Sequence, residues 1–293
     1  MAVNVYQIIT DRIIEEMSKG IIPWQRPWHG TKDGAVSYET GRPYSFLNQM
    51  LLGRPGEWLT FNQIKKLGGK IKKGAKAGMV TFVKTYLKKT KDGEAENDDP
   101  NEEKGFVLRY YNVFHIDDCE VIKSKMEEMS SESELEPIDE ADRLANDYVD
   151  REDTLKLVVK ASNSAYYSPS TDTVVVPQLE QYQEVEEYYS TLFHELVHST
   201  GIGKRCDRGL GKVAGKKSDE YSREELVAEI GSAMICNQLG IDSEKAFKNS
   251  VAYVQSWLRE LQNDNRMIVW AASRAEKAVK YIKGVKEENN DEC

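Results

Sequence analysis

The sequence predicts an α+β protein of two domains, and three observations support this prediction. The chain has 293 residues, about twice the length that an ordinary domain needs. Two separate parts of the chain each combine strand-like runs of β-branched and aromatic residues with segments of helical periodicity. The segment between them is acidic and has little apolar surface to bury, so the domain boundary is expected near residues 122–137.

The composition is typical of a soluble globular protein. Hydrophobic residues make up 40% of the chain and charged residues 30%. No apolar run reaches the roughly 18 residues that a membrane helix requires, and the N-terminus lacks the basic start of a signal peptide. We therefore expect a cytoplasmic protein with no membrane partner. The four cysteines form no CxxC pair, which argues against a zinc ribbon or a disulfide framework.

Charge is distributed unevenly along the chain. Residues 1–91 hold 16 Lys and Arg against 6 Asp and Glu, although the net charge of the whole chain is −9. The positive surplus is greatest between Lys65 and Lys91, where there are ten lysines and no acidic residue. Such a block favours binding of a polyanion through counterion release. A solvated lysine surface is the alternative.

The elements of the first domain follow from its apolar spacing and its capping residues. Apolar residues between positions 5 and 17 recur at helical intervals and predict an N-terminal helix. Thr60 is expected to cap a short helix over FNQIKKL. The β-rich runs at 79–87 and 105–116 should pair as a hairpin. The polar, mostly acidic insertion at 91–104 between them is expected to be a mobile loop.

The second domain is predicted to combine a small sheet with several helices. A short helix at 138–150 precedes a strand-like run at 154–161. Residues 164–177 indicate a hairpin that turns around 168–172. The remaining helices are expected at roughly 182–200, 219–239, 243–262 and 266–284. A small sheet followed by helices makes this domain mostly helical α+β.

The pattern His194-Glu195-Leu-Val-His198 is the sharpest chemical signal in the sequence. Positions i and i+4 of a helix share one face, so both imidazoles can bind one metal ion. Glu195 is then placed to act as general base on a water molecule that the metal makes more acidic. Two histidines of a protein core are the alternative interpretation.

A metal site of this kind needs a third protein ligand, and a carboxylate of the next helix is the best candidate. No histidine follows this motif, and lone cysteine thiolates are uncommon beside it. The predicted helix at 219–239 contains Glu224, Glu225 and Glu229, of which the last two share a face. Zn²⁺ is the expected ion, and another divalent metal such as Mn²⁺ is the alternative.

The run from Glu224 to Glu229 resembles the NExxx(D/E) pattern of gluzincin proteases. That resemblance implies that Glu225 binds the metal and that Glu229 orients a ligand histidine, with Glu229 as the alternative ligand. Tyr221 lies four residues before Glu225 on the same face and is a candidate donor to an oxyanion. Packing in the core is the alternative role for this tyrosine.

Aromatic and basic residues alternate through the first domain, as binding of single-stranded DNA requires. Basic side chains contact phosphates and aromatic faces stack on bases, whereas core packing is the alternative for each aromatic. The candidate DNA-binding residues are Trp24, Arg26, Trp28, Arg42, Tyr44, Lys70, Lys72, Lys73, Lys76, Lys84, Tyr86, Arg109 and Tyr111.

Motifs along nearly the whole chain resemble those of ArdC-type antirestriction proteins, a family of plasmids and conjugative elements. They are PWQRPW at 23–28, GRPYSFLN at 41–48, WLTFNQIKKLGGKIKKGAK at 58–76, LRYYNVFH at 108–115, SAYYSPSTDTVVVP at 164–177, HELVHSTG at 194–201 and EELVAEIGSAMI at 224–235. The resemblance implies a domain that binds single-stranded DNA, followed by a zincin-like, gluzincin-type metallopeptidase domain. It also implies protection of incoming DNA from host restriction.

The sequence thus predicts a small, basic, mixed α/β domain at 1–122 that binds single-stranded DNA, an acidic linker at 123–137 and a zincin-like metallopeptidase domain at 138–286. The expected partners are single-stranded DNA and a protein substrate of unknown identity. Two alternatives remain: a protein that coats DNA and holds a structural metal, and a protease that acts on DNA-bound proteins. The general base Glu195 favours an enzyme, because a structural metal needs no base.

Overall fold

The structure is a computed structural model that describes residues 4–25, 34–87, 104–125, 137–210, 219–241 and 254–285. Eight α-helices and nine β-strands lie within these ranges, together with three short 3₁₀ helices. The combination confirms the α+β class. The predicted mobile loop at 91–104 lies outside the described residues except for Lys104, and most of the predicted acidic linker also lies outside them.

The first part of the chain is built around a four-stranded sheet. Its elements are α1 (Val5–Ser18), a 3₁₀ helix (Pro23–Gln25), β1 (Ala35–Ser37), α2 (Phe46–Leu52), β2 (Gly56–Thr60), α3 (Phe61–Lys66), β3 (Lys70–Ile71), β4 (Gly78–Leu87), β5 (Lys104–His115), a 3₁₀ helix (Ile116–Asp118) and β6 (Cys119–Glu120). The order of the strands in the sheet is β1-β2-β5-β4, and β3 pairs with β6 in a second, two-stranded sheet. Strands β1 and β2 are parallel, whereas β5 is antiparallel to both of its neighbours.

Local sequence signals explain these elements. The Thr60 side chain accepts a hydrogen bond from the backbone N–H of Gln63, whose own side chain accepts one from the backbone of Thr60. This capping box starts α3 and confirms the predicted cap. Strands β4 and β5 pair from Gly78 opposite Val113 to Leu87 opposite Lys104, which confirms the predicted hairpin.

The second part of the chain packs a three-stranded sheet against helices. Its elements are α4 (Pro137–Arg151), β7 (Lys156–Val159), β8 (Tyr166–Ser168), β9 (Thr173–Val176), a 3₁₀ helix (Leu179–Gln181), α5 (Val185–Ser199), α6 (Asp219–Gln238), α7 (Val254–Asn263) and α8 (Met267–Ile282). The order of the strands is β7-β9-β8, with β7 parallel and β8 antiparallel to β9. The hairpin predicted at 164–177 is therefore confirmed as β8 and β9.

The main hydrophobic core joins both parts of the chain. Ile9, Ile13 and Met17 of α1 belong to the same buried cluster as the apolar faces of α5, α6 and α8. Trp24 is 0% exposed in this cluster, and its ring meets the Trp257 ring edge to face at a centroid distance of 5.5 Å. The structure contradicts the expectation that Trp24 stacks on DNA bases, because no face of this indole reaches solvent.

The predicted limits of the domains and of the linker stay a prediction. Residues 126–136 lie outside the described ranges, and α1 shares its core with the second part of the chain. Among the helices that the structure describes, none is both long enough and apolar enough to cross a membrane.

Candidate functional site

Helices α5 and α6 pack side by side and carry the predicted metal ligands. Phe193, Leu196 and Val197 are fully buried on α5 and anchor it in the core, while the side chains of His194 and His198 lie against α6. Gly231 of α6 faces Val197, and a Cβ atom at position 231 would lie 2.8 Å from Val197 Cγ2. The glycine therefore allows the two helices to approach closely. A hydrogen bond from Ser232 Oγ to the carbonyl of Ser190 also joins them.

Three side chains converge between these helices. The Nε2 atoms of His194 and His198 are 3.1 Å apart. Glu225 places Oε2 3.5 Å from His194 Nε2 and Oε1 3.4 Å from His198 Nε2. The three residues form a candidate metal-binding group whose donor atoms all lie within 4.8 Å of one another. A tetrahedral ion bound at 2.0–2.1 Å needs donor atoms about 3.3 Å apart, so this donor set fits a divalent metal.

Two further carboxylates lie behind the histidines. Glu224 Oε1 is 3.2 Å from His198 Nδ1, which is a hydrogen-bonding distance. Glu229 Oε1 is 3.9 Å from His194 Nδ1, which is too long for a hydrogen bond. His198 thus directs Nε2 to the centre of the site and Nδ1 to a carboxylate at hydrogen-bonding distance, an arrangement that orients histidine ligands in metal sites.

The charges of the site favour a cation at its centre. Burial opposes a charge on His198, but hydrogen bonds with Glu224 and Glu225 raise its pKa to about 10. Burial likewise opposes ionisation of Glu225, yet hydrogen bonds from both histidines hold its pKa well below the usual range. Burial raises the pKa of Glu229. The carboxylates therefore supply negative charge that either protons on the imidazoles or a divalent cation can balance.

The predicted catalytic residues lie on the same two helices. Glu195 is 8% exposed and follows His194 directly on α5. Tyr221 lies in the first turn of α6, but its side chain is outside the described part of the structure. The roles of both residues stay predictions.

Arg208 is a residue of the site that the sequence analysis did not find. It follows α5 and donates from Nε and Nη2 to both carboxylate oxygens of Glu224, at 2.8 and 2.6 Å. Neither the HExxH spacing nor the helical periodicity of α6 involves position 208. Its position in the site depends on the turn between the helices, which a helical pattern does not predict.

Three candidate DNA-binding residues, Lys84, Arg109 and Tyr111, share one exposed face of the β4–β5 hairpin. Phe82 pairs with Arg109 across the two strands, and its ring is stacked on that of Tyr111 at a centroid distance of 4.6 Å and an interplanar angle of 5°. Tyr111 is 56% exposed, and Lys84 and Arg109 are also exposed. We call Phe82, Lys84, Arg109 and Tyr111 the hairpin platform. Phe82 was not predicted, although strand alternation places it on the face of Lys84.

The other candidates are scattered around the first part of the chain. Tyr44 is half-buried against the small core around Trp58, and burial raises its pKa. Arg42, Lys70, Lys72, Lys73 and Lys76 are exposed. Arg26 and Trp28 lie outside the described residues, as does the side chain of Tyr86. DNA binding by these residues stays a prediction.

The fold and the site together define a protein with a zincin-like metallopeptidase domain. A family model of the zincin-like metallopeptidase matches residues 147–274. A second family model, which describes the N-terminal domain of anti-restriction factor ArdC, matches residues 3–114. The chain belongs to the family of ArdC-type antirestriction proteins.

Solved structures support this assignment. The metal-free crystal structure of the antirestriction protein ArdC from plasmid R388 is 29% identical to this chain, with a TM-score of 0.72, and covers 97% of this chain and 98% of that one. The Mn(II)-bound structure of the same protein is 28% identical to this chain, with a TM-score of 0.73. The match covers 98% of this chain and 100% of that one. The fold of these structures therefore extends over nearly the whole chain.

Curated relatives are of two kinds. Uncharacterized protein y4eC of Sinorhizobium fredii is 30% identical over 95% of this chain and 91% of its own length. Two DNA primase TraC sequences of Escherichia coli are 29% and 28% identical over 94% of this chain. This chain spans 27% and 20% of the length of the two primases.

Proposed function

We propose that the protein is a metal-dependent peptidase of the antirestriction type that binds single-stranded DNA and protects incoming DNA from host restriction. The observation that carries the proposed peptidase activity is the convergence of His194, His198 and Glu225 beside Glu195. The donor spacing fits Zn²⁺ and also Mn²⁺. The zincin-like family match supports peptide hydrolysis as the reaction class.

Each side chain of the site has a chemical role in this proposal. His194, His198 and Glu225 hold the ion, which when bound supplies Lewis acidity that polarises a peptide carbonyl and makes water more acidic. Glu195 accepts the proton of the attacking water and delivers it to the amine nitrogen as the peptide C–N bond breaks. Tyr221 donates a hydrogen bond to the oxygen that becomes negative during the attack.

Glu195→Gln tests the proposed base. The amide cannot accept the proton, so we expect hydrolysis of a mixed peptide library, followed by mass spectrometry, to be lost. The metal content should stay that of the wild type, because Glu195 is not a ligand. Glu187→Gln, two turns earlier on α5, is the matched control and should behave as wild type. Undiminished hydrolysis by Glu195→Gln would contradict the assignment.

We propose that the hairpin platform stacks on the bases of single-stranded DNA. Phe82 stacks on one face of the Tyr111 ring, and Tyr111 is still 56% exposed, so its other face can receive a base. Lys84 and Arg109 beside it are exposed and can pair with phosphates. The match to the ArdC N-terminal domain and the positive charge of residues 1–91 support the same partner. Affinity should fall steeply as salt concentration rises, because phosphate contacts release counterions.

Tyr111→Ala tests the hairpin platform. Each stacked base contributes about 1–3 kcal/mol, so the dissociation constant for a 20-nucleotide oligo(dT) should rise by roughly 5- to 150-fold. Tyr110→Ala is a matched control, because Tyr110 is also exposed but points to the opposite face of the same strand. Equal losses of DNA affinity in both variants, or a loss only in Tyr110→Ala, would contradict DNA binding at the hairpin platform.

The two alternatives differ in what the peptidase site does. A protein that only coats DNA needs no base, so Glu195→Gln would still protect unmodified DNA that enters a restricting host. A protease that acts on DNA-bound proteins would cleave them faster in the presence of single-stranded DNA. Loss of protection in Glu195→Gln, with DNA binding intact, would support the antirestriction peptidase.

A further inference from the structure

We propose that Arg208 and Glu224 are a positioning pair that fixes His198 in the orientation required of a metal ligand. This inference deepens the proposed metal site and rests on it. Neither residue touches the centre of the site. They act through His198, whose Nδ1 atom lies against Glu224 while its Nε2 atom lies with the other donor atoms.

The contact between Arg208 and Glu224 is bidentate and buried. Nε of Arg208 donates to Oε2 of Glu224 at 2.8 Å, and Nη2 donates to Oε1 at 2.6 Å. Only 2% of the Arg208 side chain and 7% of the Glu224 side chain are exposed to solvent. A bidentate pair fixes the plane of the carboxylate as well as its position. Oε1 of Glu224 is therefore held where it can accept the proton of His198 Nδ1.

Arg208 also holds the end of the HExxH helix. Nη1 donates to Oγ1 of Thr200 at 2.7 Å, and Nη2 donates to the carbonyl of Val197 at 2.8 Å. Gly201 leaves the space for this guanidinium, since a Cβ atom there would lie 3.1 Å from Nη2. One side chain thus connects the C-terminal end of α5 to the N-terminal part of α6. These are the two helices that carry the metal ligands.

The charges of the pair explain why both members are needed. A buried carboxylate is costly unless a hydrogen-bonded cation accompanies it, and a guanidinium stays charged at any physiological pH. With Glu224 as acceptor, the neutral imidazole of His198 carries its proton on Nδ1 and offers the lone pair of Nε2 to a metal. Without the pair, His198 loses both its fixed tautomer and its fixed ring orientation.

The test compares four full-length variants in titrations with Zn²⁺ and with Mn²⁺. Glu224→Gln keeps the size of the side chain but removes its charge. Arg208→Lys keeps the positive charge but removes the planar guanidinium that donates to both oxygens of Glu224. We expect each to weaken metal affinity by about 10- to 100-fold. Arg223→Lys, in the exposed pair of Arg223 with Asp264, is the matched control and should bind as wild type. His194→Ala removes a ligand and should abolish binding.

A second measurement separates positioning from a loss of folding. The ¹⁵N NMR signals of labelled histidines report, in the Zn²⁺-loaded protein, whether the Nδ1 proton of His198 is held in a hydrogen bond. We expect a slowly exchanging, hydrogen-bonded Nδ1 proton in the wild type and a rapidly exchanging one in Glu224→Gln, with circular dichroism unchanged. If Arg208→Lys fails to fold, Glu224→Gln decides the matter.

The outcomes distinguish this inference from the proposed function. Folded Glu224→Gln with wild-type metal affinity and a wild-type exchange rate of the His198 Nδ1 proton would overturn the positioning role, provided that His194→Ala still abolishes binding. If the wild type itself bound neither ion, the proposed metal site and the positioning pair would both be overturned. A weakening confined to the variants of the pair, with the control unchanged, would support the inference.

Discussion

A single buried carboxylate, Asp172, joins the second sheet to the end of the HExxH helix. It lies in the left-handed region at a φ of 47°, in the turn between β8 and β9. It accepts hydrogen bonds from two nitrogens of Arg205, at 2.9 and 2.8 Å, and from Thr154 and Tyr167. Arg205 also donates to the carbonyl of Ser199 at the end of α5. The ion pair therefore links the sheet to the helix that carries the site.

The ion pair between Arg205 and Asp172 predicts a specific loss of stability in acid. Burial by itself would raise the pKa of Asp172, but hydrogen bonds from Arg205, Thr154 and Tyr167 lower it from the model-compound value of 3.8 to about 2. Because the pKa is lower in the folded state, the stabilisation is complete well above pH 4 and is lost as the pH falls through about 2. The shift corresponds to roughly 2 kcal/mol of unfolding free energy.

Asp172→Asn measures this contribution. The variant should be less stable than the wild type at pH 7, and the difference should shrink as the pH is lowered toward 2. Urea unfolding at several pH values reports both effects. Asp147→Asn, at an exposed position of α4, is the control and should show no such pH-dependent difference. If the difference in unfolding free energy between Asp172→Asn and the wild type stayed constant from pH 7 to pH 2, the assigned role of the Asp172 charge would be refuted.

At the scale of the elements, helical periodicity was enough to predict α5 and α6 but not how they face each other. The spacing placed His194 and His198 on one face of α5, and the structure has them there. It left Glu225 and Glu229 as alternatives for the third ligand, since the rotation of one helix against another is set by packing. Here the contact of Gly231 with Val197 contributes to that packing, and no local pattern on α6 identifies it.

The hairpin shows the same division between local and long-range information. Alternation along β5 predicted that Arg109 and Tyr111 share a face. The same argument places Phe82 and Lys84 together on β4, but which face of β4 meets which face of β5 depends on the register of the strands. That register places Phe82 opposite Arg109 and explains why the aromatic pair was incompletely predicted.

At the scale of the whole molecule, the first helix is a structural part of the second half of the chain. Helix α1 contacts α7 and α8, and Thr10 donates to the carbonyl of Asn265 in the turn between those helices. Asn237 at the end of α6 donates to the carbonyl of Trp24. Composition and charge separate the two halves clearly, but they contain no information about a helix that packs across the boundary. This is why Trp24 was wrongly assigned to the DNA-binding surface.

The shared core predicts that damage to α1 weakens the zincin-like half of the chain. Ile13 is almost fully buried in the main cluster, so Ile13→Ala should cost about 2–5 kcal/mol of unfolding free energy. Hydrogen exchange in the full-length protein should then become faster in α6 and α8 as well as in α1, since all three share one core. Arg12→Ala, on the exposed side of α1, should leave exchange in α6 and α8 unchanged. If Ile13→Ala accelerated exchange in α1 alone, the zincin-like half would be stable without this helix, and the core would consist of two independent parts.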